Sequence, residues 1–257
     1  WTDRLTGLAA DWSAALERAT SASNAPLPSD AQVLGAVNRR AGPDAIVVCA
    51  AGGLPGELHK LWRTARPGGY HVEYGYSCMG YEIAAGWGCA MAQEGPGATG
   101  GTPIVMLGDG TYMMMNSDIY SAALTGHKMV VVVCDNGGFA VINRLQQAKG
   151  VPGFNNLLAD CRIRNRDNPL HVDFVKHAEA MGARAVKAES LADLEGAMQD
   201  ALAHDGVTVI SIVSDAWKWV PGDADWDVGV PEISNFETVR AARAAQEKIR
   251  EAQRLGV

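Results

Sequence analysis

Four continuous apolar runs constrain this chain most. They are "DAIVVCAA" before Gly52-Gly53, "TPIVML" before Gly108-Asp109-Gly110, "KMVVVVC" before Asp135-Asn136-Gly137-Gly138, and "VTVISIV" before Ser214-Asp215. A strand with one wet face alternates apolar and polar residues, whereas runs like these suit parallel strands covered on both faces. Helical segments separate them: "PGELHKLW", "YEIAAGWGCAMA", "MNSDIYSAALTG" closed by Gly126, "DFVKHAEAMG" and "LADLEGAMQDALAHD", with "ARAVKA" as a further short strand. This alternation predicts right-handed βαβ units in an α/β fold, a doubly wound parallel sheet of five or six strands.

The punctuation divides the chain into three stretches. Residues 1–29 read as an entry segment, with the helix-like "LAADWSAALERAT" and the linker "SASNAPLPSD", whose Ser29 or Asp30 is placed to cap the helix that follows. Residues 30–215 form the α/β domain, and residues 216–257 a Trp- and Pro-rich tail ending in the charged helix "NFETVRAARAAQEKIREAQRLG". That helix reads as a solvated or interface element. The chain opens on Trp-Thr-Asp-Arg without an initiator Met or a signal-peptide pattern, so it is expected to be a piece of something longer.

Composition narrows the function classes. No apolar run approaches the ~18 residues that would suggest a membrane span. The net charge of -7, from 22 basic and 29 acidic residues, comes with no basic cluster interleaved with aromatics, which argues against a nucleic-acid partner. The cysteines Cys49, Cys78, Cys89, Cys134 and Cys161 are odd in number and form no CxxC pair, as expected of reduced thiols in a cytoplasmic protein. The hydrophobic share of 47% fits a globular core.

The strand exits carry the chemistry. In an open parallel sheet, ligands sit in the crevice outside the carboxyl ends of the strands. Gly52-Gly53, Gly108-Asp109-Gly110 and Asn136-Gly137-Gly138 are therefore expected to face one crevice, where glycine lets backbone approach a ligand and the following helix N-terminus suits a phosphate. Asp109 and Asn136 add two hard oxygen donors, the kind Mg²⁺ shares with a phosphate. Either fragment alone is a common turn; their conjunction points to a magnesium-diphosphate site. Neither GxxxxGK[ST] nor a helix-opening GxGxxG after the first strand is present, which disfavours a nucleotide or dinucleotide.

With Gly108-Asp109-Gly110 followed by Asn136 across a strand, helix and strand, the chain resembles the thiamine-diphosphate-dependent enzymes. The resemblance implies the diphosphate-binding fold of that family. It implies Mg²⁺ held by Asp109, Asn136 and the carbonyl of Gly138, and a diphosphate cradled by Gly52, Gly53, Gly108, Gly110 and Thr111. Many members have Asn-Asn where this chain has Asp135-Asn136, and Asp135 receives no role. In "YGYSCMGYEIAAGWG", Met79 before Gly80 stands where the family places a bulky residue under the cofactor to hold it bent; the alternative is plain core packing.

The runs "VLGAVNRRAGPDAIVVCAAGGLPGELHKLWR", "GGYHVEYGYSCMGYEIAAGWG", "DNGGFAVINRLQ", "FNNLL" and "HVDFVKHAEAMGA" are similar to the carboxyl-terminal part of the 3D-(3,5/4)-trihydroxycyclohexane-1,2-dione hydrolases of myo-inositol catabolism. The similarity implies hydrolytic C–C opening of a cyclic dione to 5-deoxyglucuronate. Candidate proton-handling or substrate-binding groups are His59, His71, Glu73, Arg144 and Gln146, none assigned by spacing. The stretch from Gly137 to about Leu170, with "NRLQQ" helical within it, is expected to form a lid over the substrate side of the cofactor. The Glu that activates the aminopyrimidine lies, in the family, in a separate pyrimidine-binding domain that this chain lacks. The chain is thus expected to be inactive alone and to need that domain or subunit, in a homo-oligomer. Another thiamine-diphosphate carboligase or decarboxylase, or a non-catalytic assembly subunit, remains an alternative.

Overall fold

The structure, a computed structural model, describes residues 1–161, 170–221 and 227–253. The chain divides into two compact units, one of residues 1–136 with 170–220 and one of residues 137–169 with 221–257.

The first unit is built on a six-stranded sheet in the order β2-β1-β3-β4-β6-β5, with every neighbouring pair parallel. The strands are β1 (Ile46–Cys49), β2 (Tyr70–Val72), β3 (Pro103–Gly108), β4 (Met129–Asp135), β5 (Arg184–Ala188) and β6 (Val207–Val213). Helices α1 (Thr2–Thr20), α2 (Asp30–Arg40), α3 (Gly53–Leu61), α4 (Tyr81–Ala92), α5 (Asp109–Met114), α6 (Asp118–Leu124), α8 (Phe174–Ala180) and α9 (Leu191–Ala203) belong to the same unit; α7 (Ala140–Ala148) belongs to the second.

The doubly buried strands arise because each sends alternate side chains to opposite layers. Val47, Cys49, Ile104, Met106, Val130, Val132 and Cys134 join one core with Leu34, Leu58 and Leu194 from α2, α3 and α9. Ile46, Val48, Val105, Leu107, Val131 and Val133 join another with Ile83, Ile119 and Ala178 from α4, α6 and α8. Each such Val, Leu or Ile is worth about 1.5–3 kcal/mol when fully buried. A polar residue within 104–107 of β3 or 129–134 of β4 would enter one core or the other, which is why these runs are unbroken.

Local chemistry sets the boundaries. Ser29 caps α2, accepting the Gln32 N–H at 3.3 Å, while Gln32 Oε1 accepts the Ser29 N–H at 2.9 Å. Asp173 and Ser190 cap α8 and α9 by accepting the N–H groups of Lys176 and Asp193. Gly86 brings α4 onto β3: a Cβ there would stand 2.3 Å from Val105 Cγ2.

Three features differ from the sequence expectation. Strand β2 was not expected; it is three residues long and lies at the sheet edge, too short and exposed to carry a periodic signal. Helix α1 starts at Thr2, six residues before the predicted "LAADWSAALERAT", and ends with it at Thr20. Gly108-Asp109-Gly110 is a helix start rather than a free turn, with Gly108 as N-cap and Asp109 as the first residue of α5. The fully buried Tyr112 anchors that short helix, its hydroxyl 3.0 Å from His177 Nδ1.

The second unit contains α7, a 3-10 turn at Leu158–Asp160 and α10 (Glu237–Ala252). Gly138 bridges Leu157 in antiparallel fashion. Thr238 Oγ1 donates to the Gly150 carbonyl, and the buried Gln246 accepts the Val230 N–H at 3.1 Å while donating to Asp227 and the Val228 carbonyl. The expected helix within "NRLQQ" is thus the longer α7. Residues 162–169 of the expected lid and 222–226 and 254–257 of the tail lie outside the described residues.

Candidate functional site

Topology chooses the place. After β1 the chain turns outward to β2 and then crosses back to lay β3 on the other side of β1. This reversal parts the connections at the β1 and β3 exits, and such switch points are where open α/β sheets bind ligands. Gly52, the N-cap of α3, lies at the first exit with φ 130°, in the region open to glycine, and Gly53 begins the helix. Gly108, Asp109, Gly110 and Thr111 lie at the second, Asp109 and Thr111 both buried.

The register brings in β4. Gly108 pairs with Cys134, so Asp109 and Asn136 each follow closely on paired positions of adjacent parallel strands. The nearby backbone N–H groups of Gly110 and Asn136 favour the charged form of the Asp109 carboxyl. Even so, burial first and the neighbouring Asp135 charge second push it up to about 7 from 3.8. Asp109 Oδ1 and Asn136 Oδ1 are both buried and have no hydrogen-bond partner.

Two unpartnered buried oxygens, one of them on a carboxylate strained toward neutrality, are what a missing cation would explain. Among the described residues no group of three His, Cys, Asp or Glu side chains gathers as a metal cluster. An ion here would rest on one carboxylate, one amide and further oxygens from backbone, ligand or water. That donor set suits Mg²⁺, which prefers few protein ligands and keeps water or phosphate in its shell. Gly138, whose carbonyl the resemblance adds, follows Asn136 by two residues and belongs to the second unit, with φ 133°. A Cβ on it would stand 2.5 Å from the Asn156 carbonyl oxygen, so close packing within its own unit already demands glycine.

The loop from Glu73 to Gly80 presents Met79. Gly80 has φ 102°, and a Cβ on it would stand 2.6 Å from Met115 Cγ. Met79 itself is half-buried, leaving part of its side chain free to support a ligand. Glu73 accepts the N–H groups of Tyr76 at 3.0 Å and Cys78 at 2.7 Å, which holds its carboxyl below the ordinary value. Glu73, one of the candidate proton-handling or substrate-binding groups, thus also braces the loop.

The other polar candidates are spread out. His59 lies on α3 with Nδ1 2.7 Å from the Tyr70 hydroxyl and its ring edge-on to Tyr74; partial burial lowers its pKa. The same hydroxyl lies 3.4 Å from Cys49 Sγ, and burial raises both the thiol, to about 11, and the phenol. His71 is exposed on the edge strand β2. Arg144 and Gln146 are on α7 in the second unit, where Gln146 Oε1 accepts from Asn156 Nδ2 at 2.6 Å and the Phe154 N–H at 3.2 Å. Sequence reasoning missed Glu82, fully buried in the first turn of α4. A lone acid in the otherwise small and apolar "YEIAAGWGCAMA" was the signal that could have found it.

Comparison with known proteins agrees with this geometry. The chain is 37% identical over 228 residues to the 3D-(3,5/4)-trihydroxycyclohexane-1,2-dione hydrolase of Bacillus licheniformis, covering 88% of this chain and 34% of that protein. The hydrolase of the same name from Listeria monocytogenes serotype 4b is 39% identical over 208 residues, covering 80% and 31%. The chain thus spans about a third of the length of these curated relatives. In fold it is similar to benzoylformate decarboxylase from Polynucleobacter necessarius, with a TM-score of 0.66, 20% identity and coverage of 77% of this chain and 35% of that one. A 4-hydroxybenzoylformate decarboxylase from Rhodococcus jostii RHA1 gives 0.59 at 22% identity, covering 73% and 32%. Among the described residues, no helix is long and apolar enough to cross a membrane. Residues 50–212 match the family model of the thiamine pyrophosphate enzyme C-terminal TPP binding domain. That stretch holds the exits of β1, β3 and β4 together with Met79 and Gly80, and the chain accordingly belongs to the thiamine pyrophosphate enzymes through their C-terminal TPP-binding domain.

Proposed function

We propose that this chain is the diphosphate- and Mg²⁺-binding part of a cytoplasmic enzyme that opens 3D-(3,5/4)-trihydroxycyclohexane-1,2-dione by hydrolytic C–C cleavage to 5-deoxyglucuronate. The observation that carries the reading is the pair of buried, unpartnered oxygens of Asp109 and Asn136 at adjacent strand exits. The substrate is taken from the named relatives.

In this reading Asp109 and Asn136, with the Gly138 carbonyl, hold the Mg²⁺ that anchors the diphosphate. The glycine-rich exits at Gly52-Gly53 and Gly108-Asp109-Gly110 give the diphosphate its backbone surroundings, and Met79 supports the cofactor from below. Thiamine diphosphate supplies the carbon nucleophile and the electron sink that cleavage beside a carbonyl requires. The chain's own contribution is to bind, orient and desolvate. The activating carboxylate and the rest of the site come from a pyrimidine-binding domain in a homo-oligomeric assembly.

The test mixes this chain with the remaining amino-terminal part of the enzyme, thiamine diphosphate and Mg²⁺, and follows loss of the cyclic dione. Turnover by the mixture, absent from either part and from a mixture carrying Asp109→Ala, is the expected result. Turnover of pyruvate or benzoylformate but not the dione would overturn the substrate. Turnover by this chain alone would overturn the need for a partner domain.

A further inference from the structure

The loop carrying Met79 is held by two carboxylates, one on each side of that residue. Glu73 takes the N–H of Cys78 at 2.7 Å, immediately before Met79. Glu82 Oε2 takes the N–H of Gly80 at 2.8 Å, immediately after it. Glu73 lies at the surface end of the loop, whereas Glu82 is fully buried in the first turn of the twelve-residue α4.

A carboxylate is costly to bury, and nothing in the packing of α4 requires one: its buried neighbours on the helix are Ile83, Gly86 and Ala90. Its Oε1 is buried without a hydrogen bond. Burial raises its pKa, countered by the backbone N–H groups of Glu82, Gly80 and Ala51. Ala51 belongs to the exit of β1, next to Gly52-Gly53. The hydrogen bond that Glu82 makes is therefore to the Met79-Gly80 loop, while the Ala51 N–H at the β1 exit adds only an electrostatic pull on the same carboxyl. Met115 packs closely on the same turn, since a Cβ on Gly80 would stand 2.6 Å from Met115 Cγ.

We propose that Glu82 is a positioning residue, a buried clasp that fixes the Met79-Gly80 turn beside the β1 exit so that Met79 meets the cofactor in one orientation. The inference rests on the thiamine-diphosphate reading for its consequence, but not for the clasp itself. Glu82 touches no reacting atom; it acts through the Gly80 N–H. Its unpartnered Oε1 marks it as more than a helix cap, because a surface cap serving the same N–H would leave that oxygen in water at no cost.

Two substitutions and two measurements separate the outcomes. Glu82→Gln keeps an acceptor for the Gly80 N–H, whereas Glu82→Leu keeps the bulk and removes it. Hydrogen exchange on the full chain, without ligand, reads the clasp: exchange at Gly80 should quicken by about tenfold or more in Glu82→Leu and stay near wild type in Glu82→Gln. Thiamine diphosphate with Mg²⁺, titrated by tryptophan fluorescence, reads the consequence: affinity should fall by about tenfold or more in Glu82→Leu and be rescued to within roughly threefold by Glu82→Gln. If Gly80 exchanges equally in all three proteins, the clasp is overturned. If the exchange changes but all three bind the cofactor equally, the positioning role is overturned while the cofactor reading stands. Failure of the wild type to bind thiamine diphosphate would instead overturn the cofactor reading, and the exchange measurement would still decide the clasp. Should Glu82→Leu fail to fold, Glu82→Gln against Glu82→Ala in the same two assays gives the decision.

Discussion

Asp109 should make the ligand-free chain less stable than it could be, and Asp109→Asn should reveal by how much. The carboxyl is pushed up to about 7 from 3.8, chiefly by burial, with the Asp135 charge second. The folded chain thus keeps a proton on Asp109 that the unfolded chain has already lost. By linkage, stability is fully present below pH 4, declines between about pH 4 and 7, and lies at its low plateau above 7. About three pKa units at 1.36 kcal/mol each set an upper bound near 4 kcal/mol. The substituted amide retrieves less, because its NH₂ meets the backbone N–H groups that favoured the carboxylate. We expect a gain of about 2 kcal/mol at pH 8, or roughly 5 °C in Tm for a chain of this size, which falls to zero between about pH 5 and 6 and becomes a loss of about 2 kcal/mol near pH 4. Thermal unfolding of both proteins from pH 4 to 8, without metal, is the assay. A variant equal to or less stable than wild type at pH 8, or a difference that does not change with pH, would refute the reasoning.

Other substitutions test the remaining parts. Asn136→Ala should abolish stabilisation of the chain by millimolar Mg²⁺ with diphosphate, read as the shift in Tm, while its metal-free circular dichroism stays unchanged. Gly86→Val should cost about 1–3 kcal/mol in urea unfolding, because its Cβ would meet Val105 Cγ2 at 2.3 Å. Ser29→Ala should cost about 1 kcal/mol by the same measure, through loss of the α2 capping box.

The buried strands were legible because each is covered twice. The run 130–134 sends side chains to both cores, and its β-branched residues suit a strand covered on both faces. The edge strand β2 has no such signature: Tyr70–Val72 is too short and too exposed. The helical nature of Asp109–Met114 was hidden by two glycines in Gly108-Asp109-Gly110, whose local preference for a turn is overridden by the burial of Thr111 and Tyr112. Asp109 and Asn136 could be picked out from their places at strand exits, but their two unpartnered oxygens could not, since those depend on what surrounds them. The bracing contacts of Glu73 were hidden for the same reason: they lie in the N–H groups of Tyr76 and Cys78, and no spacing rule foretells them. Glu82 needed the Met79-Gly80 turn folded onto the start of α4 before its carboxyl had any meaning.

The central claim is that Asp109 and Asn136 form a divalent-cation site for a diphosphate-bearing cofactor. Calorimetric titration of thiamine diphosphate into the chain, with Mg²⁺, with EDTA, and into Asp109→Ala with Mg²⁺, tests it most directly. Saturable binding that requires Mg²⁺ and is lost in the variant is the predicted result; binding of equal strength in all three titrations, or none in the first, would contradict it.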